Sequence, residues 1–348
     1  MPRTLGTWQV YSLAALNGLL GAGEQIAVNV TGFPDHDFFT PYPTRRFLSG
    51  ALALPLGIEG FKLGVTGTDG RTTPRVDPAI ATQGRFDQLR VQLAYDAVKR
   101  RDFELTFSAR FEATDERIDS LVFNPPLPLS LDRVRAVRES VDGLWQLREM
   151  GTTIAFGATF SQGLPAFGAR TAQDASFLLP LSRQGADAVF TKAEGRFEVT
   201  QSLPENLVAA ISIYAQTAFD QPLLTSEQFN IVGAKMLSGF PAGTLPGDSA
   251  WSARGELQRP IAIQLGSAAA NLAPYVFGAA GERILHQPTV LEIGTVHATN
   301  LGGGFRLFLP PPAEYLASGF GFLEASKRWT MEPRLEAWRI FAGAMIAY

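Results

Sequence analysis

Apolar and polar residues exchange places at every second position in one segment of the chain after another. That is the periodicity of a strand with one dry face and one wet face. In DFELTFSARFEA, Phe103, Leu105, Phe107, Ala109 and Phe111 face one way, and Glu104, Thr106, Ser108, Arg110 and Glu112 face the other. GTTIAFGATFSQ sets Ile154, Phe156, Ala158 and Phe160 against Thr153, Ala155, Gly157, Thr159 and Ser161. ENLVAAISIYAQTAF sets Leu207, Ala209, Ile211, Ile213, Ala215 and Phe219 against Ala210, Ser212, Tyr214 and Gln216. From Trp251, Ala253, Gly255 and Leu257 oppose Ser252, Arg254, Glu256 and Gln258.

Soluble sandwiches alternate too, so length and charge decide the sense of the pattern. Sandwich strands average about five or six residues, whereas these extend to about ten or more, enough to cross a bilayer at a steep tilt. Their polar face is charged in mid-strand, at Arg110, Glu112, Lys192, Glu194, Arg196, Glu198, Arg254 and Glu256. An apolar face opposite a charged one fits lipid outside and water inside, and hydrocarbon requires every backbone group to be paired, which forces closure. The expected fold is all-β, a transmembrane antiparallel β-barrel of about 16 strands, with about 22 residues per strand and connection.

The connections support that plan. Short turns (LGIEG, REMG, LPEN) alternate with long links (PDHDFFTPYP, TGTDGRTTPRVDPAIATQG, FNPPLPLSL, GLPAFGARTAQDASFLLPLSRQG), as when one rim faces each side of a membrane. No linker or repeat divides the chain, so residues 1–348 are expected to form one domain. The last strand, about 337–348, places Trp338, Ile340, Ala342, Ala344, Ile346 and terminal Tyr348 on one face. An aromatic residue ending such a strand resembles the signal read by the barrel assembly machinery of bacterial outer membranes. Trp251, Trp329, Trp338 and Tyr348 suit aromatic girdles at the membrane interfaces.

One connection is anomalous. Residues 233–257 read GAKMLSGFPAGTLPGDSAWSARGEL, and the stretch before Trp251 is a Gly- and Pro-rich loop that nevertheless holds Met236, Leu237, Phe240 and Leu245. A solvated loop seldom carries that much apolar surface, and long loops are usually functional or disordered.

Composition narrows the chemistry. The chain is 46% hydrophobic and 18% charged with a formal charge of −3, and its Lys and Arg are scattered, so no nucleic-acid partner is expected. With no cysteine, disulfide scaffolds and thiolate metal sites are excluded. His36, His286 and His297 lie on separate segments, so neither a metal site nor any cofactor is expected. Asp35-His36-Asp37 reads as a solvated loop, with a cation site as the alternative. GTDG at Gly67 and LGGGF at Leu301 lack a strand-to-helix context and read as turn or strand glycines rather than phosphate cradles. No G-x-S-x-G or Ser/His/Asp set occurs, so no catalytic residues are expected. No window of 18 apolar residues exists to form a membrane helix. VYSLAALNGLLGAG reads either as a strand and turn leading to IAVNVTGF or as the apolar core of a signal peptide.

From about Leu5 to Tyr348 the chain resembles the barrel of the two-partner-secretion transporters, the haemolysin-activator-type outer-membrane proteins that export a large adhesin or cytolysin. NGLLGAGEQIAVNV is similar to the family's N-x-LGxGDxL hairpin and ALALPLGIEGFKLGVTG to its SLPLGxxGLxLG hairpin. SQGLPAFGARTAQDAS and SRQGADAVFTKAEGRFEVTQSLPENL follow the order and spacing of its mid-barrel strands. LLTSEQFNIVGAKMLSGFPAG resembles LxSSEQFxLGGxxSVRGYPxG, GDSAWSARGEL resembles GDRGWxxRxEL, and APYVFGAAG resembles PYxFxDAG. The resemblance implies that the anomalous loop, about 234–250, folds back into the lumen. Its tip motif is Leu237, Ser238, Gly239, Phe240 and Pro241, facing a wall motif of Phe277, Ala279 and Gly281.

Two departures touch that contact. Ser238 stands where the family has the Arg of VRGY, and Ala279 where it has the Asp of FxDAG, residues that pair in relatives. Losing one partner of a buried pair costs about 3–5 kcal/mol, whereas replacing both can be nearly neutral. The tip is therefore expected to be held by packing and uncharged hydrogen bonds, and to be easier to displace. Arg254 and Glu256 read as wall charges, with seating the loop or lining the path as the alternative. Lys192, Glu194, Arg196 and Glu198 read as a self-compensating ladder.

Barrel sequence begins within the first ten residues, where the family has periplasmic polypeptide-transport-associated domains and a plug helix. A fragment, modules encoded elsewhere and a divergent barrel all stay open. The implied function is translocation of an unfolded exoprotein from periplasm to cell surface of a Gram-negative bacterium, with that exoprotein and outer-membrane lipids as partners. The alternatives are a diffusion porin or degenerate barrel without a protein client and, more remotely, a barrel enzyme.

Overall fold

Long alternating runs with β-branched and aromatic residues on one side cannot bury that side within a single strand, so they pair edge to edge into a sheet. A computed structural model describes residues 3–57, 59–266, 268–310, 318–331 and 336–347. Its strands are β1 (Val10–Asn17), β2 (Gln25–Gly32), β3 (Arg45–Pro55), β4 (Phe61–Thr72), β5 (Thr82–Lys99) and β6 (Phe103–Ser120). Next come β7 (Leu127–Leu147), β8 (Thr152–Gly163), β9 (Thr191–Leu203), β10 (Leu207–Thr217), β11 (Phe229–Asn230) and β12 (Pro246–Gly247). The last are β13 (Ser249–Gln258), β14 (Ile261–Leu265), β15 (Ala268–Ile284), β16 (Thr295–Leu309), β17 (Ser318–Thr330) and β18 (Ala337–Ala347).

Among the described residues, sixteen of these strands form one sheet, all antiparallel and paired in chain order. β13 and β14 lie end to end, and both pair with β15. The short ribbon β11–β12 stands apart, inside the connection from β10 to β13. VYSLAALN and IAVNVTG pair as β1 and β2, the strand–turn–strand reading of that segment.

The two faces differ as the alternation requires. On the outer face Val276, Leu301 and Ile340 are 61, 61 and 72% exposed. On the inner face their neighbours Phe277, Asn300 and Glu324 are buried. The connection 218–248 bonds to residues of β7, β9, β10, β13, β17 and β18. One segment can reach strands from the middle and the end of the sheet only because the sheet curls around it.

Several strands run further than the sequence suggests, which shortens the links around 73–81 and 121–126. TGTDGRT lies within β4, and β5, β6 and β7 reach 18, 18 and 21 residues. Charged neighbours extend the ladder where the apolar pattern fades, through Arg71–Asp87, Arg90–Glu112 and Arg135–Asp115. Pairing of polar side chains sustains a strand beyond the oily band, which alternation alone does not reveal. The glycines of LGGGF are strand glycines of β16.

Candidate functional site

The loop between β10 and β13 folds by its own punctuation. β11 and β12 close its neck, and the backbone N–H of Ile231 donates to the Leu245 carbonyl at 3.3 Å. Leu237 N–H donates to Ile231 O at 3.2 Å, and Phe240 N–H to Leu237 O at 3.3 Å, turning the chain at Ser238-Gly239. Pro241 follows, its carbonyl accepting from the Thr244 hydroxyl at 2.8 Å. The turn brings the apolar residues to one side. Ile231, Leu237, Phe240 and Leu245 are fully buried against Ala250, Ala279, Val296 and Ala298 of the inner wall.

Small wall residues make this fit possible. A Cβ added at Gly281 would lie 3.2 Å from Leu237 Cδ1, and Ala279 forms part of the same apolar floor. Across β16, a Cβ at Gly302 would lie 2.9 Å from Phe277 Cε1, so the glycine leaves room for that ring. Phe277 in turn carries the Arg254 guanidinium 3.4 Å above its centroid. Such stacking fixes a guanidinium plane without consuming its donors.

The expected uncharged hold on the tip is not what the structure builds. Ser238 Oγ donates to Glu324 Oε1 at 2.5 Å and accepts from Arg254 Nη1 at 2.7 Å. Arg254 also bonds Glu324 and Glu256, each at 3.0 Å, and Tyr275 Oη donates to Glu324 Oε2 at 2.8 Å. The tip backbone is gripped too. Arg339 Nη1 donates to Ser238 O at 2.7 Å and also to Phe240 O, while Arg328 Nη1 donates to Gly239 O at 2.8 Å. Both charges of the ion pair now sit on the wall, on β13 and β17, and the tip contributes only a hydroxyl and carbonyls. Bonds to charged groups are about twice as strong as neutral ones, so losing the family pair has not left the tip loosely tied.

The root of the loop is anchored by other charges. Glu227 accepts from Arg138 at 2.7 and 2.9 Å and pairs with Lys192 at 3.1 Å. Lys235 bonds Glu198 at 2.6 Å, and its carbonyl accepts from the Ser212 hydroxyl at 2.7 Å. At the far end the fully buried Asp248 accepts from Arg183, Leu223 N–H, Gln228 and His286 N–H, tying three connections together. A cavity of about 770 Å³ has a lining that includes Glu198, Lys235, Arg254, Glu256 and Arg306.

Of the residues singled out in the sequence, Leu237, Ser238, Gly239, Phe240, Arg254, Phe277, Ala279 and Gly281 come together at the tip. Glu256 bonds Arg254 and Arg306 on the wall. The expected charge ladder on β9 is divided instead. Lys192 and Glu198 turn to the loop, Arg196 pairs with Asp142 at 2.7 Å, and Glu194 lies 3.7 Å from Lys192. Cross-strand partners and the loop compete with the i, i+2 neighbours and take Arg196 and Glu198, while Lys192 keeps Glu194 as a longer second partner. Trp338, Ile340 and Ile346 are on the outer face at 66–72% exposure, and Tyr348 lies outside the described residues. Glu324, Arg328 and Arg339 were not singled out. Their signal is the polar face of EASKRWT and the one charge in AWRIFAGAMIA.

Among the described residues no group of His, Asp and Glu is arranged to hold a metal. Asp35 of the PDHDFF loop bonds the Thr44 hydroxyl and Arg75, both at 2.6 Å. Burial pushes its carboxyl up, but Thr44, Arg75, the Asp37 backbone N–H and His36 together outweigh burial and hold it below the usual carboxylate value.

A family model described as haemolysin secretion/activation protein ShlB/FhaC/HecB matches residues 3–287. Among solved structures, CdiB from Escherichia coli superposes with a TM-score of 0.70 at 16% identity, covering 99% of this chain and 60% of that one. CdiB from Acinetobacter baumannii gives 0.67 at 12% identity, covering 99% and 57%. BamA from Haemophilus ducreyi lacking POTRA domains 1–3 gives 0.59 at 12% identity, covering 97% and 67%. The chain thus spans about three-fifths of the CdiB chains and shares their barrel fold. No curated protein matches the sequence.

Proposed function

Since the chain belongs to the ShlB/FhaC/HecB family of haemolysin secretion/activation proteins, outer-membrane β-barrels of two-partner secretion, we propose that it translocates an unfolded exoprotein from the periplasm to the cell surface. The client would be a large adhesin or haemolysin, threaded through the lumen in extended form. No nucleotide works at that membrane, so folding of the client outside would draw it through. Residues 1–348 would act as one membrane-embedded body in the outer membrane of a Gram-negative bacterium. Lipid would contact the outer face, and the barrel assembly machinery would read the last strand.

The observation that carries this reading is the seated loop. The loop buries four large apolar side chains against the inner wall and is clasped by three wall arginines, which suits a plug that closes the lumen at rest. Such a plug would keep the membrane tight until a client displaces it.

The test is to look beside this gene for a reading frame encoding a large secreted exoprotein, and to follow that protein in cells with and without this chain. Surface appearance that depends on the chain supports the proposal. Retention of the exoprotein in the periplasm, with small solutes passing freely, would replace it with the porin reading.

A further inference from the structure

Two wall arginines hold the loop tip through its backbone. Arg328 on β17 and Arg339 on β18 donate to the carbonyls of Ser238, Gly239 and Phe240, three successive residues of one turn. Carbonyl acceptors belong to every polypeptide, so these bonds carry no information about the sequence that offers them. The groups that make the site stay on the wall when the loop is elsewhere. Arg254 is stacked on Phe277 and paired with Glu324, and Arg339 lies 4.9 Å from the ring of Phe341. The apolar floor of Ala279, Val296 and Ala298 also belongs to the wall.

We propose that Arg328, Arg339 and the Arg254–Glu324 pair form a main-chain receptor for a polypeptide turn, filled by the chain's own tip at rest and by a turn of the transported polypeptide once the tip has left. This deepens the secretion reading and rests on it.

The tip's own chemistry defines what fits. The first position is apolar, as Leu237 against Gly281 is. The second is a small hydroxyl residue, because Ser238 Oγ bridges Arg254 and Glu324. The third is glycine, because a Cβ at Gly239 would meet Asn300 Nδ2 and Ser326 Oγ, both at 2.9 Å. The fourth carries an aromatic ring, as Phe240 does 5.6 Å from the Arg328 guanidinium. The ligand class is therefore an apolar–Ser/Thr–Gly–aromatic turn, held by its carbonyls and selected by the side chains at its four positions.

The experiment uses the full chain in a planar bilayer and a capped peptide of the sequence KMLSGFPA. The loop is first loosened by the paired substitution L237A/F240A, or by Gly239→Ala should that pair fail to fold. Conductance of the loosened protein should fall saturably as peptide is added. A peptide with Ala in place of its Gly, or with scrambled order, should leave it unchanged. Arg339→Ala in the loosened background should raise the half-blocking concentration by about tenfold or more, as loss of charged hydrogen bonds implies, and Arg339→Lys should recover only part of that. Absence of block, or equal block by the scrambled peptide, overturns the proposal. No exoprotein is present in this assay, so its failure leaves the secretion reading untouched, and failure of secretion leaves the block in place.

Discussion

Returning the arginine of the family motif to the loop tip tests whether its charge has truly moved to the wall. The perturbation is Ser238→Arg, alone and combined with Ala279→Asp. Ser238 is 1% exposed and lies between Arg254 and Glu324, where Arg254 already serves Glu324 and Glu256, and Glu256 is shared with Arg306. A second guanidinium would sit about 4 Å from the first. At an effective dielectric of about 20, like charges at that distance repel by about 4 kcal/mol. Desolvation of the new charge adds to this. The single change should therefore cost about 4 kcal/mol or more.

Ala279 stands directly opposite Arg254 in the β13–β15 register. A carboxylate there would neutralise the extra guanidinium, although it enters an apolar cluster. The double variant should consequently be more stable than the sum of the single costs by about 2–3 kcal/mol, a coupling typical of residues in contact. The assay is urea unfolding of the refolded protein in lipid vesicles, followed by tryptophan fluorescence and by the mobility shift of folded barrel on unheated gels. A neutral Ser238→Arg, or strictly additive costs in the double variant, would refute the relocation.

Three further outcomes follow from the geometry. Phe240→Ala removes a fully buried ring and should cost about 3–5 kcal/mol, with larger single-channel conductance because the tip no longer fills its seat. Glu227→Gln leaves Arg138 and Lys192 with one carboxylate fewer at the loop root, and should cost about 3–5 kcal/mol in the same urea assay, with m unchanged if only stability is altered. The depressed Asp35 carboxyl contributes stability in full above its unfolded value of 3.8, and loses it as pH falls through the lower folded value. Cleavage of the 33–44 connection by an acid-active protease should rise over that window, and Asp35→Asn should flatten the rise.

The β-barrel was legible because its code is local. Each strand states by period two which face is oily, and charges such as Arg254 and Glu256 on the opposite face state that the other side is wet. The anomalous loop was legible because Leu237, Phe240 and Leu245 have no business in water. What holds its tip was not legible. Glu324 and Arg339 lie 86 and 101 residues from Ser238, on strands that meet the loop only because the sheet curls. Alternation gives a side chain's face but not its height or its azimuth around a barrel. The same blindness affected Lys192, Glu194, Arg196 and Glu198. Their common face was readable, while the loop, Asp142 and Gln216 that claim them individually were not.

Moving both charges to the wall changes what displacing the loop entails. With an arginine on the tip, departure of the loop would break a buried ion pair and strand a carboxylate in the wall. Here Arg254 and Glu324 keep each other when the tip leaves. What is lost is the burial of Ile231, Leu237, Phe240 and Leu245, each worth about 1.5–3 kcal/mol, plus the Ser238 hydroxyl and carbonyl bonds, which water in the lumen can replace. Apolar burial is therefore a large part of the hold, and neither it nor the buried bonds of the tip is screened as exposed charge interactions are, over a Debye length of about 10 Å at 0.1 M. The frequency of loop-opening events in single-channel records should accordingly change little between low and high concentrations of a simple salt, once bulk conductivity is divided out. It should rise steeply with Leu237→Ala or Phe240→Ala. An opening frequency that climbs with ionic strength as steeply as it does on truncating Phe240 would show that charge, not apolar contact, keeps the tip in place.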